Sequence, residues 1–154
     1  MNKYSQKLNQ IIEIAVEKIR EIPLSEMSHK SSPEKWSKKE ILGHLIDSAY
    51  NNHQRVVRAE SQGNLIFQGY DQNDWVRIND YQNRTIEDIL NTWATSNRHL
   101  ATAVSKQSEA LLNRKTDQHN FHQISMRRLE KGEPGSLAYL IWDYIFHLEH
   151  HLGQ

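Results

Sequence analysis

Apolar residues recur at every third or fourth position in four separate segments of this 154-residue chain. That spacing places them on one stripe of an α-helix, and no segment shows the alternation that is typical of a strand. The first stripe runs from Leu8 to Ile19 and ends before Pro23, because the residue preceding a proline is pushed out of the helical region. Four such helices bury their stripes against one another. The chain is therefore expected to form an all-α, four-helix bundle in a single domain, residues 1–154.

Local start signals predict where the other three helices begin. Their apolar stripes extend to about residues 59, 104 and 152. A Ser or Thr followed three residues later by an acidic residue can satisfy free backbone donors in the first turn. A serine after a Pro-Gly pair is a plausible N-cap. The signals are Ser37 with Glu40, Thr85 with Asp88, and Ser136 after Pro134-Gly135.

Two of the connections between these helices are long, at residues 61–84 and 107–134. Connections of this length in a compact domain tend to be binding loops or lids, or else disordered. The first contains Phe67, Tyr70 and Trp75 among Gly, Asn and Asp residues. We expect it to include a short helical turn and to pack on the bundle.

Composition excludes several functional classes. Lys+Arg and Asp+Glu number 19 each, so no global charge attracts nucleic acid or an anionic membrane. The absence of cysteine excludes disulfides, thiolate metal ligands and a cysteine nucleophile. No amino-terminal signal pattern is visible, and no apolar run approaches the roughly 20 residues of a membrane span. A cytoplasmic protein with a small-molecule partner is the expectation.

Histidine placement carries the functional information. His147 and His151 lie four residues apart on the predicted fourth helix, so they project from one face. Two imidazoles in that relation can reach one metal ion, with nitrogen–metal distances of about 2.0–2.1 Å. Two unrelated surface histidines are the ordinary alternative. The neighbouring Leu148 and Leu152 favour a position at the border of the core.

His44 lies between Leu42 and Leu45 in the most apolar part of the second helix. A hydrogen-bonded core histidine is the common alternative for one such residue. A neutral imidazole buried without a partner costs free energy, and one metal ion would satisfy this histidine and the pair on the fourth helix. Three nitrogen ligands leave positions open for water or substrate, which is typical of a reactive site.

The other histidines are expected to take no part. His150 points about 100° away from His151 on a helix, so it is a poor candidate ligand. The remainder lie in predicted loops or on helix surfaces and are expected to face solvent: His29, His53, His99, His119 and His122.

Polar residues follow His44 along the same helix at three- and four-residue steps, among them Ser48, Asn51 and Arg55. They either contact a substrate or form an ordinary polar outer face. No carboxylate stands out by its spacing as a general base. From helix face and loop position, the candidate substrate contacts are Asn51, Arg55, Tyr70 and Trp75.

Two stretches together resemble the DinB-like superfamily: WSKKEILGHLIDSAYNNHQR (residues 36–55) and DYIFHLEHHLGQ (residues 143–154). Members carry a Trp before an ILxHLIDS-type helix, and a His-x-x-x-His followed by a pair such as Gly-Gln. The resemblance assigns the metal ligands to His44, His147 and His151. YDQNDWV (residues 70–76) is also similar to a segment of some members. Many relatives have an arginine after the last histidine, where this chain has Leu152.

The resemblance implies a DinB-like bundle with a long crossover, often a homodimer, that holds zinc or nickel, or else iron or manganese. Implied activities are metal-dependent hydrolase-like chemistry and transfer of a low-molecular-weight thiol such as bacillithiol. The leading hypothesis is a metal-dependent enzyme acting on a small molecule. The alternatives are a non-catalytic metal- or small-molecule-binding stress-response module, and a metal-free helical interaction protein.

Overall fold

The computed structural model describes residues 1–154 and contains eight α-helices, one 3₁₀ turn and no strand. Two isolated β-bridges join Leu65 to His119 and Thr116 to Gly135. The helices are α1 (Lys3–Arg20), α2 (Leu24–Ser28), α3 (Lys38–Ser61), α4 (Gln72–Asn79), α5 (Ile86–Ser105), α6 (Glu109–Asn113), α7 (Phe121–Ile124) and α8 (Leu137–Leu152), with the 3₁₀ turn at Tyr81–Asn83.

The four long helices α1, α3, α5 and α8 form the bundle. Both α1 and α3 pack against both α5 and α8, so consecutive long helices are not all neighbours in space. One cluster of 33 buried apolar residues fills the centre, with Trp93 and Leu45 entirely enclosed. These observations confirm the predicted all-α four-helix bundle.

The helix starts in the structure differ from the predicted ones in two respects. The capping box is present, since the Ser37 hydroxyl accepts from the Glu40 N–H and the Glu40 carboxylate accepts from the Ser37 N–H. Thr85 caps α5, but the Asp88 carboxylate binds Arg84 instead of closing a second box. Helix α1 begins five residues before the apolar stripe, because the Asn2 side chain accepts the Ser5 N–H.

The first long connection packs on α3, the second packs on α8, and the two contact each other. The first contains α4, the expected short helical turn, and α4 packs on α3. The Asn120 side chain of the second connection donates to the Phe67 carbonyl and accepts from the Phe67 N–H, at 2.7 and 3.0 Å. No helix is both long enough and apolar enough to cross a membrane.

His119 differs from its expected exposure. It is buried, its Nδ1 accepts the Phe121 N–H, and its Nε2 meets the Glu133 carbonyl. The expectation of solvent exposure was wrong because the ring satisfies the backbone of its own loop. His53 and His122 are half-buried, whereas His29 and His99 are exposed as expected.

Candidate metal centre

Helices α3 and α8 bring three histidines together. One ring nitrogen from each of His44, His147 and His151 lies within 4.8 Å of the other two. The Nε2 atoms of His44 and His147 are 3.1 Å apart. The His44 ring stands nearly perpendicular to the other two, at 78° and 77°. The grouping expected from sequence is therefore present in space.

The Nδ1 atom of His151 has a hydrogen-bond partner, whereas the Nδ1 atoms of the other two histidines have none. Nδ1 of His151 donates to the side-chain oxygen of Gln154 at 2.7 Å, which leaves its Nε2 free to act as a ligand. Nδ1 of His44 and Nδ1 of His147 are buried without a hydrogen-bond partner. The ring of Trp36 lies 5.0 Å from that of His44 and closes one side of the site.

Burial keeps the three rings neutral. It lowers the pKa of His44 to about 4, with a further contribution from the charge of His151. Burial also lowers the pKa of His147 to about 3, assisted by the other histidines nearby. The pKa of His151 is lowered as well, chiefly by burial. Neutral imidazoles are the form that binds metal, so the site is ready at neutral pH without losing protons first.

These residues fit a divalent cation. In the metal-free protein, one of the two facing Nε2 atoms must donate a proton to the other, whereas a cation accepts a lone pair from each. Two nitrogens at metal-bond distance from a tetrahedral ion lie about 3.3 Å apart, close to the 3.1 Å seen here. The set contains no thiolate and no free carboxylate. Imidazole ligands suit zinc, nickel, copper and iron, so the donor set alone does not select one metal.

The histidines line a cavity of about 360 Å³, which we call the histidine cavity. Its wall is formed by α3, α8 and the connections at residues 69–72 and 123–128. Most of the wall is polar, which suits a small hydrophilic molecule. Its polar groups include Ser48, Asn52, Arg55, Gln123, Ser125 and Asp143.

Asp143 lies one helical turn before His147 and is buried. Its two carboxylate oxygens accept the backbone N–H groups of Met126 and Arg127, at 2.9 and 2.7 Å. This carboxylate therefore fixes the 123–128 connection over the cavity. With both oxygens engaged, it is poorly placed to serve as a base or a fourth ligand.

Only two of the four candidate substrate contacts, Arg55 and Tyr70, border the histidine cavity. All four line a neighbouring cavity of about 570 Å³, which we call the Trp75 groove. The ring of Tyr70 lies 5.2 Å from that of Trp75. Arg55 and Tyr70 thus stand where the two spaces adjoin.

Several wall residues were not identified from sequence. Asn52 lines the histidine cavity, whereas Asn51 does not. Both amides donate to the backbone carbonyl four residues earlier, so this bond does not distinguish them. Asp143 could have been found from its four-residue spacing to His147. Gln123 and Ser125 could not, because their position depends on how the long connection folds back. His150 is exposed, as expected.

Comparison with known proteins identifies a protein of similar fold and the family of this chain. YfiT from Bacillus subtilis, described as a probable metal-dependent hydrolase with an unusual four-helix bundle topology, superposes with a TM-score of 0.76. The match covers 99% of this chain and 85% of that one at 14% identity, so it bears on the fold alone. No curated protein matches in sequence. The model of the DinB superfamily matches residues 8–154. The chain therefore belongs to the DinB superfamily.

Proposed function

We propose that this protein is a metal-dependent enzyme that acts on a small molecule. The observation that supports it is the convergence of three neutral imidazoles, without a fourth protein ligand, on the wall of a polar cavity. Three protein ligands with an open position are typical of catalytic rather than structural sites. His44, His147 and His151 would hold the ion. When bound, such an ion lowers the pKa of a water molecule or thiol in its open position.

The protein's own residues would position the reactants. Gln154 holds the proton of His151 on Nδ1, which directs Nε2 toward the other two rings. Trp36 excludes water from one side of His44. Ser48 and Asn52, one turn apart on α3, present polar groups along the cavity wall. Asp143 keeps the covering connection in place.

The cavity favours transfer of a low-molecular-weight thiol over hydrolysis. Its one buried carboxylate, Asp143, is occupied by backbone N–H groups, so no free carboxylate is available as a general base. A thiol ionises near pH 8.5, far closer to neutrality than water does, and needs less help from a base. Hydrolase-like chemistry remains the second reaction class, and the fold shared with YfiT is compatible with it.

Elemental analysis of the purified protein is the first test. We expect about one divalent ion per chain, lost in His44→Ala and His147→Ala and kept in His150→Ala. His150 is the matched control because it lies on the same helix and is exposed. Full metal content in both ligand variants would exclude this site.

An activity assay distinguishes a metal-dependent enzyme from a non-catalytic binding module. The metal-loaded protein would be assayed with a thiol and a chromogenic aryl halide, and separately with a chromogenic ester. Thiol-dependent product release that is lost in His147→Ala supports the transferase. Ligand-dependent stabilisation without turnover on either substrate would favour the non-catalytic binding module.

We also propose that the protein forms a homodimer through an exposed face of α8. Trp142 and Phe146, four residues apart on α8, are large apolar side chains that are 45% and 43% exposed. A second copy would cover them. Light scattering of the wild type and of Phe146→Glu tests the idea, because a dimer through this face should dissociate in the variant.

A further inference from the structure

Arg55 is a buried cation without a carboxylate partner. Its side chain belongs to a residue that is only 5% exposed, in the middle of α3. One guanidinium N–H donates to the Gln68 carbonyl at 3.0 Å, and no acidic side chain lies within ion-pair distance. A buried charge is normally paired, because desolvation of an unpaired ion is costly.

The acidic groups nearest to the two cavities have other partners. Both oxygens of Asp143 accept backbone N–H groups. Asp71 caps α4 by accepting the Asp74 N–H, and Asp74 pairs with Arg77 at 3.1 Å. None of these three carboxylates neutralises Arg55. Its charge therefore faces the space shared by the histidine cavity and the Trp75 groove.

We propose that Arg55 is an anion-binding subsite, and that the small molecule handled by this protein carries a carboxylate or phosphate group. The inference rests on the proposed function, since it assigns a chemical class to the substrate of that same cavity. A guanidinium has five N–H donors in a fixed fork that matches a planar oxyanion. Only one of its nitrogens is committed to the protein, to Gln68. Tyr70 and Ser48 add hydroxyl groups on the same wall.

The position of Arg55 between the two cavities supports its role as an anion-binding subsite. Arg55 borders the histidine cavity and the Trp75 groove at once. A molecule anchored there by its anionic group could place a reactive atom at the histidines and an apolar part against Trp75. The subsite would thus orient the ligand and select for charged over neutral molecules.

The test uses the full chain, with inorganic phosphate and acetate as separate probes. Each is titrated at constant ionic strength into metal-free and metal-loaded protein, and the Arg55 Nε–H resonance is followed by NMR. We expect saturable movement of that resonance in the metal-free protein. The stronger probe indicates whether phosphate or carboxylate is the preferred group.

Variants test whether the binding depends on the charge. Arg55→Gln should bind the stronger probe at least about tenfold more weakly, and Arg55→Lys should lie between Gln and wild type. Arg98→Gln is the matched control, with the same charge change on the exposed face of α5. Unchanged anion affinity in Arg55→Gln, or no saturable shift in the wild type with either probe, would overturn the proposal. A role confined to holding the Gln68 loop would leave the wild-type resonance unmoved by anions.

Metal content is measured on the same samples, so that the anion subsite and the proposed metal-dependent function are tested independently. Arg55→Gln should keep its metal while losing the anion. Wild type that binds anions through Arg55 but no metal would contradict the proposed function and leave the anion subsite standing.

Discussion

The ring of Tyr81 packs directly against Gly43, the residue that precedes His44 on α3. A Cβ atom at position 43 would overlap that ring. The ring cannot move away easily, because the Tyr81 hydroxyl donates to Asp47 Oδ1 at 2.6 Å. Glycine is therefore required here by close packing, inside a helix where it is otherwise unfavourable.

Gly43→Ala should destabilise the protein by about 1–3 kcal/mol through overpacking, although alanine is the better helix former by about 1 kcal/mol. Chemical denaturation followed by circular dichroism measures the difference. Gly63→Ala is the matched control, since nothing lies within 4 Å of a Cβ there. A Gly43→Ala protein as stable as wild type would show that Tyr81 does not constrain this turn.

The metal-free protein should lose stability as the pH falls from about 7 toward 4. Folded His44 and His147 have pKa values of about 4 and 3, against about 6.5 in an unfolded chain. The unfolded state therefore binds more protons in this range, and stability falls by up to about 1.4 kcal/mol per pH unit for each histidine. Urea denaturation of chelator-treated protein gives the slope. His44→Gln should flatten it, and an unchanged slope in that variant would refute the assignment.

Asp47 should produce the opposite pH dependence. Burial raises its pKa to about 6, against the lowering effects of the Tyr81 hydroxyl, Arg84 and Asn79. Because the folded state holds this proton more tightly, the associated stability is present below about pH 4 and is lost as the pH rises through 6.

Asp47→Asn should remove that loss, because the amide does not ionise. The stability of the variant relative to wild type should rise by roughly 2–3 kcal/mol between pH 4 and 7. Parallel urea denaturation curves across the range provide the measurement. Asp117→Asn, an exposed site, serves as the control. A constant difference between Asp47→Asn and wild type would mean that folding does not raise the pKa of Asp47.

Gln154→Ala should weaken metal binding by about tenfold if the three histidines hold an ion, because the variant frees His151 to rotate or change tautomer. Competition with a chromophoric chelator measures the affinity. His150→Gln should bind as wild type does. Equal affinity in Gln154→Ala would show that the 2.7 Å contact to His151 contributes nothing to ligation.

The fold could be predicted because its signals are local. Stripe spacing and caps such as Ser37 depend on neighbours within a few residues. The four-residue spacing of His147 and His151 is equally local, whereas His44 required the motif of a family. The sequence did not show whether Asn51 or Asn52 faces the histidine cavity. Adjacent helical positions differ in direction by only about 100°, and the position of the cavity depends on where the 107–134 connection lies.

Helix α3 also fixes the distance between His44 and Arg55. Arg55 lies eleven positions after His44 in the unbroken helix, which corresponds to about 16 Å along the axis. Inserting one residue between them would rotate Arg55 by about 100° and carry its charge out of the cavity. The rigid helix therefore sets how far apart these two side chains are presented along the bundle.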